Sequence, residues 1–429
     1  MLNDERGILK IFVVSIGFVT CMYYFDLYDS SVLSNRREVV VRLIQVLGVA
    51  YVALGLLYYL FPSVKLGRGI FQIGFLFVGA ALLLWRRLFT VLNSAPRLVE
   101  RVLIFGKGGL AESLQREIES RPELGFSIAG HAHVIENRII PSVRVDSEMP
   151  TNLSWQEIRG GLSSDCEIRG INRILVTMEE RRGKLPVDLL LSLKNRGVLV
   201  QDGNEVYEAI TGKVPIESIR LGELLFSPGF FASRLFLLYK RFASIVISVI
   251  GLLISLPLLP FVVLAIKLTS PGPVLYQQKR VGRDGAIFFC FKFRTMRADA
   301  EADIGPSWAK DDDPRITRVG HFLRLSRLDE IPQLWNVLRG DMSLVGPRPE
   351  RPEFVRALNQ EIPYYYLRHS IRPGITGWAQ ICFRYGSSVE DAKEKLRYDL
   401  FYIKNMSAGL DLLIFVRTIK TILLGRGAR

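Results

Sequence analysis

Two neighbouring carboxylates, Asp329 and Glu330, lie inside RLSRLDEIPQLWNVLRGDMSLVGPRPE, the stretch from Arg324 to Glu350. Arg324, Arg327 and Arg348 stand around them. An acidic pair among cations suits phosphoryl transfer: one carboxylate attacks phosphorus, the other holds a divalent metal, and arginines grip the anionic oxygens. The prolines of Pro347-Arg348-Pro349-Glu350 stiffen a loop that can aim Arg348 at a phosphate. The plainer alternative is that Asp329 and Glu330 cap a helix and pair with Arg324 and Arg327 on a solvated face.

Regular structure must hold these groups. Phe322, Leu325, Leu328, Ile331, Trp335 and Leu338 recur every three or four residues, which predicts helix with one buried stripe. Pro332 is tolerated in a first helical turn but not in mid-helix. One helix should therefore end near Leu328 and another begin near Glu330, with the dyad at a helix N-terminus that favours anions. Upstream, Ser270 to Gly282 and then FFCFKFRTM, Phe288 to Met296, alternate apolar and polar residues. They predict strands at a membrane surface, with Arg280, Lys292 and Arg294 as cations for a diphosphate. Leu410 to Leu424 is apolar and basic in turn, with Arg426 beyond it; it reads equally as a helix lying on an anionic membrane and as a core helix. His321 and His369 read as structural, because the chemistry needs no histidine.

The composition sets the frame. The 429 residues are 49% hydrophobic yet 23% charged, with a mean hydropathy of +0.22. That balance excludes both an ordinary soluble enzyme and a wholly embedded membrane protein. A formal charge of +14 calls for an anionic partner, and the apolar segments rank lipid and phosphate above nucleic acid. Cys21, Cys166, Cys290 and Cys382 form no CxxC pair and fit reduced cytoplasmic thiols.

Three membrane helices are expected at Ile8 to Phe25, Val39 to Phe61 and Gly69 to Leu84, the last running on toward Leu92. Asp4 and Glu5 ahead of the first argue against a signal peptide. Arg36 and Arg37, then Lys65 and Arg68, lie in the loops, and Arg86, Arg87, Arg97 and Arg101 follow the third span, so the region after it is placed in the cytoplasm. A later run, Phe242 to Ile266, is long enough to span but is broken by Pro257 and Pro260 beside Ser255, whose hydroxyl can satisfy a freed carbonyl. Spanning would put the flanking domains on opposite sides. Basic residues at both ends favour one side, so a re-entrant helix-break-helix is expected, with a kinked transmembrane helix as the alternative.

Between these membrane elements the pattern is α/β. Val102 to Phe105 reads as a strand, followed by Gly106-Lys107-Gly108-Gly109-Leu110-Ala111 and a helix from Glu112 to Ser120, a GxGxxA version of the dinucleotide fingerprint. Phe126 to Gly130, Arg173 to Thr177 and Val198 to Gln201 read as further strands, and Pro186 to Asn195 as a helix. The second strand runs into Ala129-Gly130-His131-Ala132-His133 without the acid that would grip a ribose. A packing or regulatory role is favoured over cofactor binding.

The string RLDEIPQLWNVLRGDMSLVGPRPE resembles the signature of the bacterial sugar transferases, polyprenol-phosphate phosphoglycosyl transferases of exopolysaccharide and O-antigen assembly. GPVLYQQKRVGRDG, FKFRTM, DDPRITRVGHFLRLSRLDE and RPGITGWAQI look like further blocks in family order, covering Tyr239 to Leu424. The front of the chain is similar to large members with membrane helices and a Rossmann-like domain. Those usually carry four N-terminal helices, so the resemblance implies that this chain begins one helix late. The family's Lys-Arg-x-x-Asp reads Lys240-Arg241-Phe242-Ala243-Ser244 here, which puts one anchoring contact in doubt.

The resemblance implies transfer of sugar-1-phosphate from a UDP-sugar, with glucose as first choice, to undecaprenyl phosphate with release of UMP. Asp329 would form an aspartyl phosphosugar and Glu330 would help hold Mg²⁺, with Asp399 near the metal. Arg348, Arg327, Lys292, Arg294 and Arg372 would be the phosphate and nucleotide contacts. The implied layout is membrane α plus α/β: residues 1–98 transmembrane, 99–226 Rossmann-like, 227–267 linker and re-entrant helix, and 268–429 an α+β catalytic core on the cytoplasmic face of the inner membrane. Homo-oligomerisation stays open. Two rivals are a non-catalytic scaffold for polymer export and a nucleotide-sugar dehydratase or epimerase. The second would need a Tyr-x-x-x-Lys pair between Arg101 and Leu225, which the sequence lacks.

Overall fold

A computed structural model describes residues 5–27, 36–60, 68–93, 99–135, 138–142, 170–178, 180, 185–218, 229–230, 232–297, 313, 315–383, 386 and 388–423. Cys166, Lys65, Arg97, Leu225, Arg426 and, within the proposed linker, Ser227, Pro228 and Phe231 lie outside the described residues, as do the side chains of Arg36, Arg37, Arg68, Arg86 and His133. The chain forms two compact units, Met1–Val206 and Tyr207–Arg429.

In the first unit, helices α1 (Glu5–Tyr24), α2 (Arg36–Leu60) and α3 (Arg68–Asn93) match the three expected apolar segments. They meet through Phe18, Ala50 and Leu54, with the Phe75 ring centroid 5.3 Å from those of Phe18 and Tyr51. Among the described residues, Val39–Leu56 and Arg234–Ser255 are long and apolar enough to cross a membrane, and Val14–Tyr24 and Gln72–Trp85 are shorter apolar stretches.

The same unit carries a sheet of β1 (Glu100–Phe105), β2 (Phe126–Ile135), β3 (Arg138–Ser142), β4 (Ile171–Val176) and β5 (Leu199–Asp202), with helices α4 (Gly109–Ser120) and α5 (Val187–Asn195). The spatial order β3-β2-β1-β4-β5 is that of a doubly wound dinucleotide-binding half, but β3 runs antiparallel to β2. Leu103, Phe105, Ile174, Leu193 and Val198 form its core. At Gly106 the backbone has φ +137°, and a Cβ there would stand 2.5 Å from the Thr177 hydroxyl. Glycine is therefore required where β1 turns toward α4. Helix α6 (Gly203–Thr211) contains the boundary between the units.

The second unit opens with α7 (Arg234–Ser255), capped by the Ser233 hydroxyl on the Phe236 N–H, and continues into α8 (Leu259–Thr269). The break falls where the prolines predict it. Pro257 has no N–H for the Leu253 carbonyl; the Leu256 N–H takes that carbonyl instead, and the Leu252 carbonyl so released accepts the Ser255 hydroxyl at 2.9 Å. Both legs rest on the same unit. Arg241 donates to the Leu338 carbonyl at 2.8 Å, while Val262 and Ile266 pack with Phe293 and Leu323. Ser244, where the family has Asp, still anchors: it is buried, lies 3.2 Å from the Ser343 hydroxyl and accepts the Leu344 N–H.

Beyond α8 come the antiparallel hairpin β6 (Leu275–Val281) and β7 (Ile287–Phe293), α9 (Arg318–Leu325), α10 (Gln333–Arg339), the parallel pair β8 (Ser343–Val345) and β9 (Gly374–Thr376), α11 (Pro352–Glu361), α12 (Trp378–Cys382), α13 (Val389–Lys404) and α14 (Ala408–Leu423). Leu396, Leu400, Tyr402, Ile403 and Ile414 lie at the centre of their core. Thus α14 is a core helix on one face, yet Leu412 on another is 63% exposed.

One expectation holds in part. Of the stripe Phe322, Leu325, Leu328, Ile331, Trp335 and Leu338, Leu328 and Ile331 are half-buried against Phe293 and Leu323 and Leu338 is half-buried, but Phe322, Leu325 and Trp335 are exposed, at 62%, 40% and 54%. The buried side carries Leu323, Gln333, Asn336 and Val337. Apolar periodicity marks a face that leaves water; it does not say whether protein or lipid covers it.

Candidate active site

The dyad does not open an α-helix. Arg327 takes a left-handed conformation, φ 57°, at a steric cost on the order of 1–2 kcal/mol. That stops the chain leaving α9 and starts a single 3₁₀ turn, Leu328–Glu330. Pro332 then precedes α10. Tightening by a 3₁₀ turn brings Asp329 and Glu330 inward together, and both are buried.

Their surroundings are unequal. Glu330 Oε1 accepts from Lys292 Nζ at 3.0 Å and from Arg348 Nη2 at 2.8 Å, and Arg327 Nη1 lies 3.8 Å from Oε2. Burial raises the Glu330 carboxyl, but Arg348, Lys292 and Arg327 overcome it and hold the group well below the usual carboxylate range. Asp329 Oδ1 is buried and has no hydrogen-bond partner among the described residues. Burial, with the neighbouring Glu330 charge, pushes the Asp329 carboxyl up against Lys292, Arg348 and Arg324. One acid is clamped and ionised; its neighbour is left with an unengaged oxygen. That is the contrast a nucleophile beside a charge-holding partner requires.

The frame around the dyad is specific. Asn336, fully buried, donates to the Phe289 carbonyl at 2.7 Å and accepts from the Phe291 N–H at 3.0 Å, tying α10 to β7 and so fixing where Lys292 stands. Helix α9 approaches the end of that strand so closely that a Cβ on Gly320 would fall 1.9 Å from the Thr295 carbonyl oxygen. Arg324 donates to the Thr295 hydroxyl at 3.0 Å. The Arg348 loop is held by backbone and by arginines. The Gly374 N–H donates to the Pro347 carbonyl at 2.9 Å. Arg280 donates to the Pro349 carbonyl at 3.0 Å and lies 3.5 Å from the Glu350 carboxylate, and Arg368 donates to the Arg348 carbonyl at 3.0 Å.

The expected phosphate contacts therefore separate. Arg348, Lys292 and Arg327 converge on Glu330. Arg280 sits behind the loop as a brace. Arg294 is buried and places its two terminal nitrogens on the Ser270 and Pro271 carbonyls, at 2.7 and 2.9 Å, so it fixes the chain leaving α8 instead of facing the dyad. Arg372 is exposed and donates to the Gly340 carbonyl. Asp399 on α13 is buried and paired with Arg368 at 2.8 Å; burial pushes its carboxyl up to about 6 against the pull of Arg368. Among the described residues its link to the dyad runs through Arg368 and the Arg348 backbone. His369 is held down to about 4 by burial and by Arg368, so it is neutral near pH 7. Ser255 and Pro257 serve the α7–α8 break.

Arg368 and Asn336 are missing from the sequence-derived set. Asn336 falls among apolar residues on a helical pattern, a detectable signal of a satisfied buried amide; Arg368, in YYYLRHS, carries none. Among the described residues no three His, Cys, Asp or Glu side chains converge on one point. The buried, ionised Glu330 carboxylate fits a hard divalent ion of the Mg²⁺ kind, which takes one or two carboxylates and completes its shell with substrate phosphate and water.

Residues 235–425 match the family model for bacterial sugar transferases, and residues 23–201 match one described as a CoA-binding domain. An Aeromonas hydrophila UDP-N-acetylgalactosamine-undecaprenyl-phosphate N-acetylgalactosaminephosphotransferase is 45% identical over 228 residues, 52% of each chain. A UDP-glucose:undecaprenyl-phosphate glucose-1-phosphate transferase of Xanthomonas campestris pv. campestris is 37% identical over 57% of this chain and 49% of its own length. One of the same name from Caulobacter vibrioides is 42% identical over 43% of this chain and 70% of its own length. The chain spans about half the length of the first two relatives. With its catalytic unit so matched, this chain belongs to the bacterial sugar transferase family.

Proposed function

We propose that the chain transfers a hexose-1-phosphate from a UDP-sugar to undecaprenyl phosphate and releases UMP, the initiating step of an exopolysaccharide or O-antigen. The observation that carries this is the inequality of the dyad: a buried Asp329 oxygen without a partner among the described residues, next to a Glu330 held by Lys292 and Arg348. Asp329 attacks the β-phosphorus. The bond to the bridging oxygen breaks, and its electron pair leaves on UMP. The lipid phosphate then displaces the aspartate. Two half-reactions let a soluble and a lipid substrate use one site in turn.

Arg348 and Lys292 hold Glu330 and the incoming diphosphate in one field, and the burial of the site strengthens every such interaction. Mg²⁺, when bound, would supply charge neutralisation of the diphosphate, with Glu330 as the direct ligand and Asp399 acting through Arg368 and the Arg348 loop.

The α7–α8 break is read as a re-entrant membrane element, because both legs pack on the catalytic unit while Leu253, Ile254, Phe261 and Leu264 are 58–73% exposed. Phe322, Leu325 and Trp335 extend that apolar face beside the dyad, on the cytoplasmic side of the inner membrane. Relatives named for glucose and for N-acetylgalactosamine make these the first sugars to assay. The test is UMP release from a panel of UDP-sugars, with membranes containing the full chain, undecaprenyl phosphate and Mg²⁺. Release with one sugar supports the reading; release with none returns the chain to the scaffold alternative.

A further inference from the structure

We propose that Gln333 is an uncharged substrate contact at this centre, its side-chain amide donating a hydrogen bond to a non-bridging oxygen of the phosphoryl group that Asp329 attacks. The inference rests on the phosphoglycosyl transfer reading. Gln333 is 3% exposed, and its Nε2 is buried without a hydrogen-bond partner among the described residues. The same is true of Asp329 Oδ1. Buried polar groups are almost always paired, so an orphaned donor and an orphaned acceptor this close in sequence call for an account.

Their placement supplies one. After the 3₁₀ turn the backbone stays right-handed helical through Ile331 (φ −52°, ψ −42°) and Pro332 (φ −61°, ψ −19°) into α10. Asp329 and Gln333 therefore lie little more than one turn apart, and both side chains are turned to the buried side of the chain, at 7% and 3% exposure. They are complementary in kind, yet they do not bond each other. An acceptor-rich group engaging Gln333 while bonding to Asp329 would account for both.

Asn336, three residues further on, is the contrast. Its amide is accounted for by the protein: Nδ2 donates to the Phe289 carbonyl and to Asp341 Oδ2, and Oδ1 accepts the Phe291 N–H. That is how a framework amide looks in this fold. Gln333 is as deeply buried and lacks such a donor contact.

The chemistry fits a neutral donor. As the Asp329 oxygen bonds to phosphorus and the bond to the bridging oxygen breaks, charge is spread over the non-bridging oxygens. Lys292 and Arg348 already serve Glu330. A fixed amide N–H stabilises the transferring group without raising the proton affinity of a neighbour, and no proton or electron passes through it.

The test uses the full chain in membranes with saturating UDP-sugar, undecaprenyl phosphate and Mg²⁺. Gln333→Met keeps the length of the side chain and removes the donor. It is expected to lower kcat by about 10²–10³-fold, the effect of deleting one such donor, with KM changed far less and the melting transition retained. Gln333→Asn keeps an amide and should turn over faster than the Met variant. If Gln333→Met does not fold, Gln333→Leu, also uncharged and without a donor, takes its place with the same expected loss. Native turnover in a folded donorless variant overturns the proposal and leaves the amide with water alone; so does an Asn variant slower than Met. A native chain that releases no UMP from any UDP-sugar fails the transfer reading itself, and the role of Gln333 falls with it.

Discussion

The sheet of residues 100–202 and the turn of residues 324–350 both place a loop at the start of a helix, and both carry sequence signatures of phosphate chemistry. Their interiors differ. Among the described residues of the first unit, Thr177 is the buried polar side chain, in a core of Leu, Ile, Val and Phe. The second unit buries Arg294, Asp329, Glu330, Gln333, Asn336, Arg368 and Asp399. Burying charge opposes folding unless each group is paired. In the sheet the buried side-chain atom without a hydrogen-bond partner among the described residues is one imidazole nitrogen, His131 Nε2, whereas at the dyad it is a carboxylate oxygen beside a second carboxylate clamped by Lys292 and Arg348, and that contrast in charge is what marks a chemical site.

Arg348→Ala should break the contrast most. It removes a direct partner of Glu330 and a cation beside the reacting phosphate, so kcat/KM for UMP release should fall by about 10²–10³-fold. A loss below tenfold would leave Lys292 as the principal clamp. A smaller effect sharpens the electrostatic side. His369 is held neutral down to about 4, so below about pH 6.5 the unfolded chain binds a proton that the fold refuses. Stability conferred by the neutral ring is present above 6.5 and declines as pH falls toward 4. His369→Gln should flatten that decline in thermal melts; an unchanged slope would place the acid sensitivity elsewhere. The least effect on catalysis is expected from Gly106→Ala. Its Cβ would stand 2.5 Å from the Thr177 hydroxyl and 2.8 Å from the Met178 nitrogen at φ +137°, so the sheet unit should melt earlier. UMP release per folded molecule should stay within about twofold, because the groups found around Glu330 belong to the second unit. A large loss of kcat would give the sheet unit a part in the reaction.

What the sequence made legible was local. The Pro257 break, the strand before Gly106 and the Asp329-Glu330 pair follow from residue types that restrict the backbone or carry charge. Tertiary partners did not follow. Arg294 and Lys292 are alike as cations two residues apart at the end of β7, but one reaches backbone carbonyls and the other reaches Glu330. The apolar stripe of α9 and α10 was visible, but which of its residues the protein buries was not, because hydrophobic spacing does not name the surface that covers it. The 3₁₀ turn at the dyad was hidden behind Pro332, which marks a helix start equally well one residue away or three. Left-handed Arg327, which sets that turn, has no sequence signature.

The most direct measurement is mass spectrometry of the full chain incubated with its UDP-sugar and Mg²⁺ in the absence of undecaprenyl phosphate, quenched and digested. The account predicts UMP released in proportion to enzyme and a phosphohexose carried on the peptide containing Asp329, with both absent from Asp329→Asn. UMP that appears only when undecaprenyl phosphate is added, with no adduct on that peptide, would contradict it and require direct transfer between the two substrates.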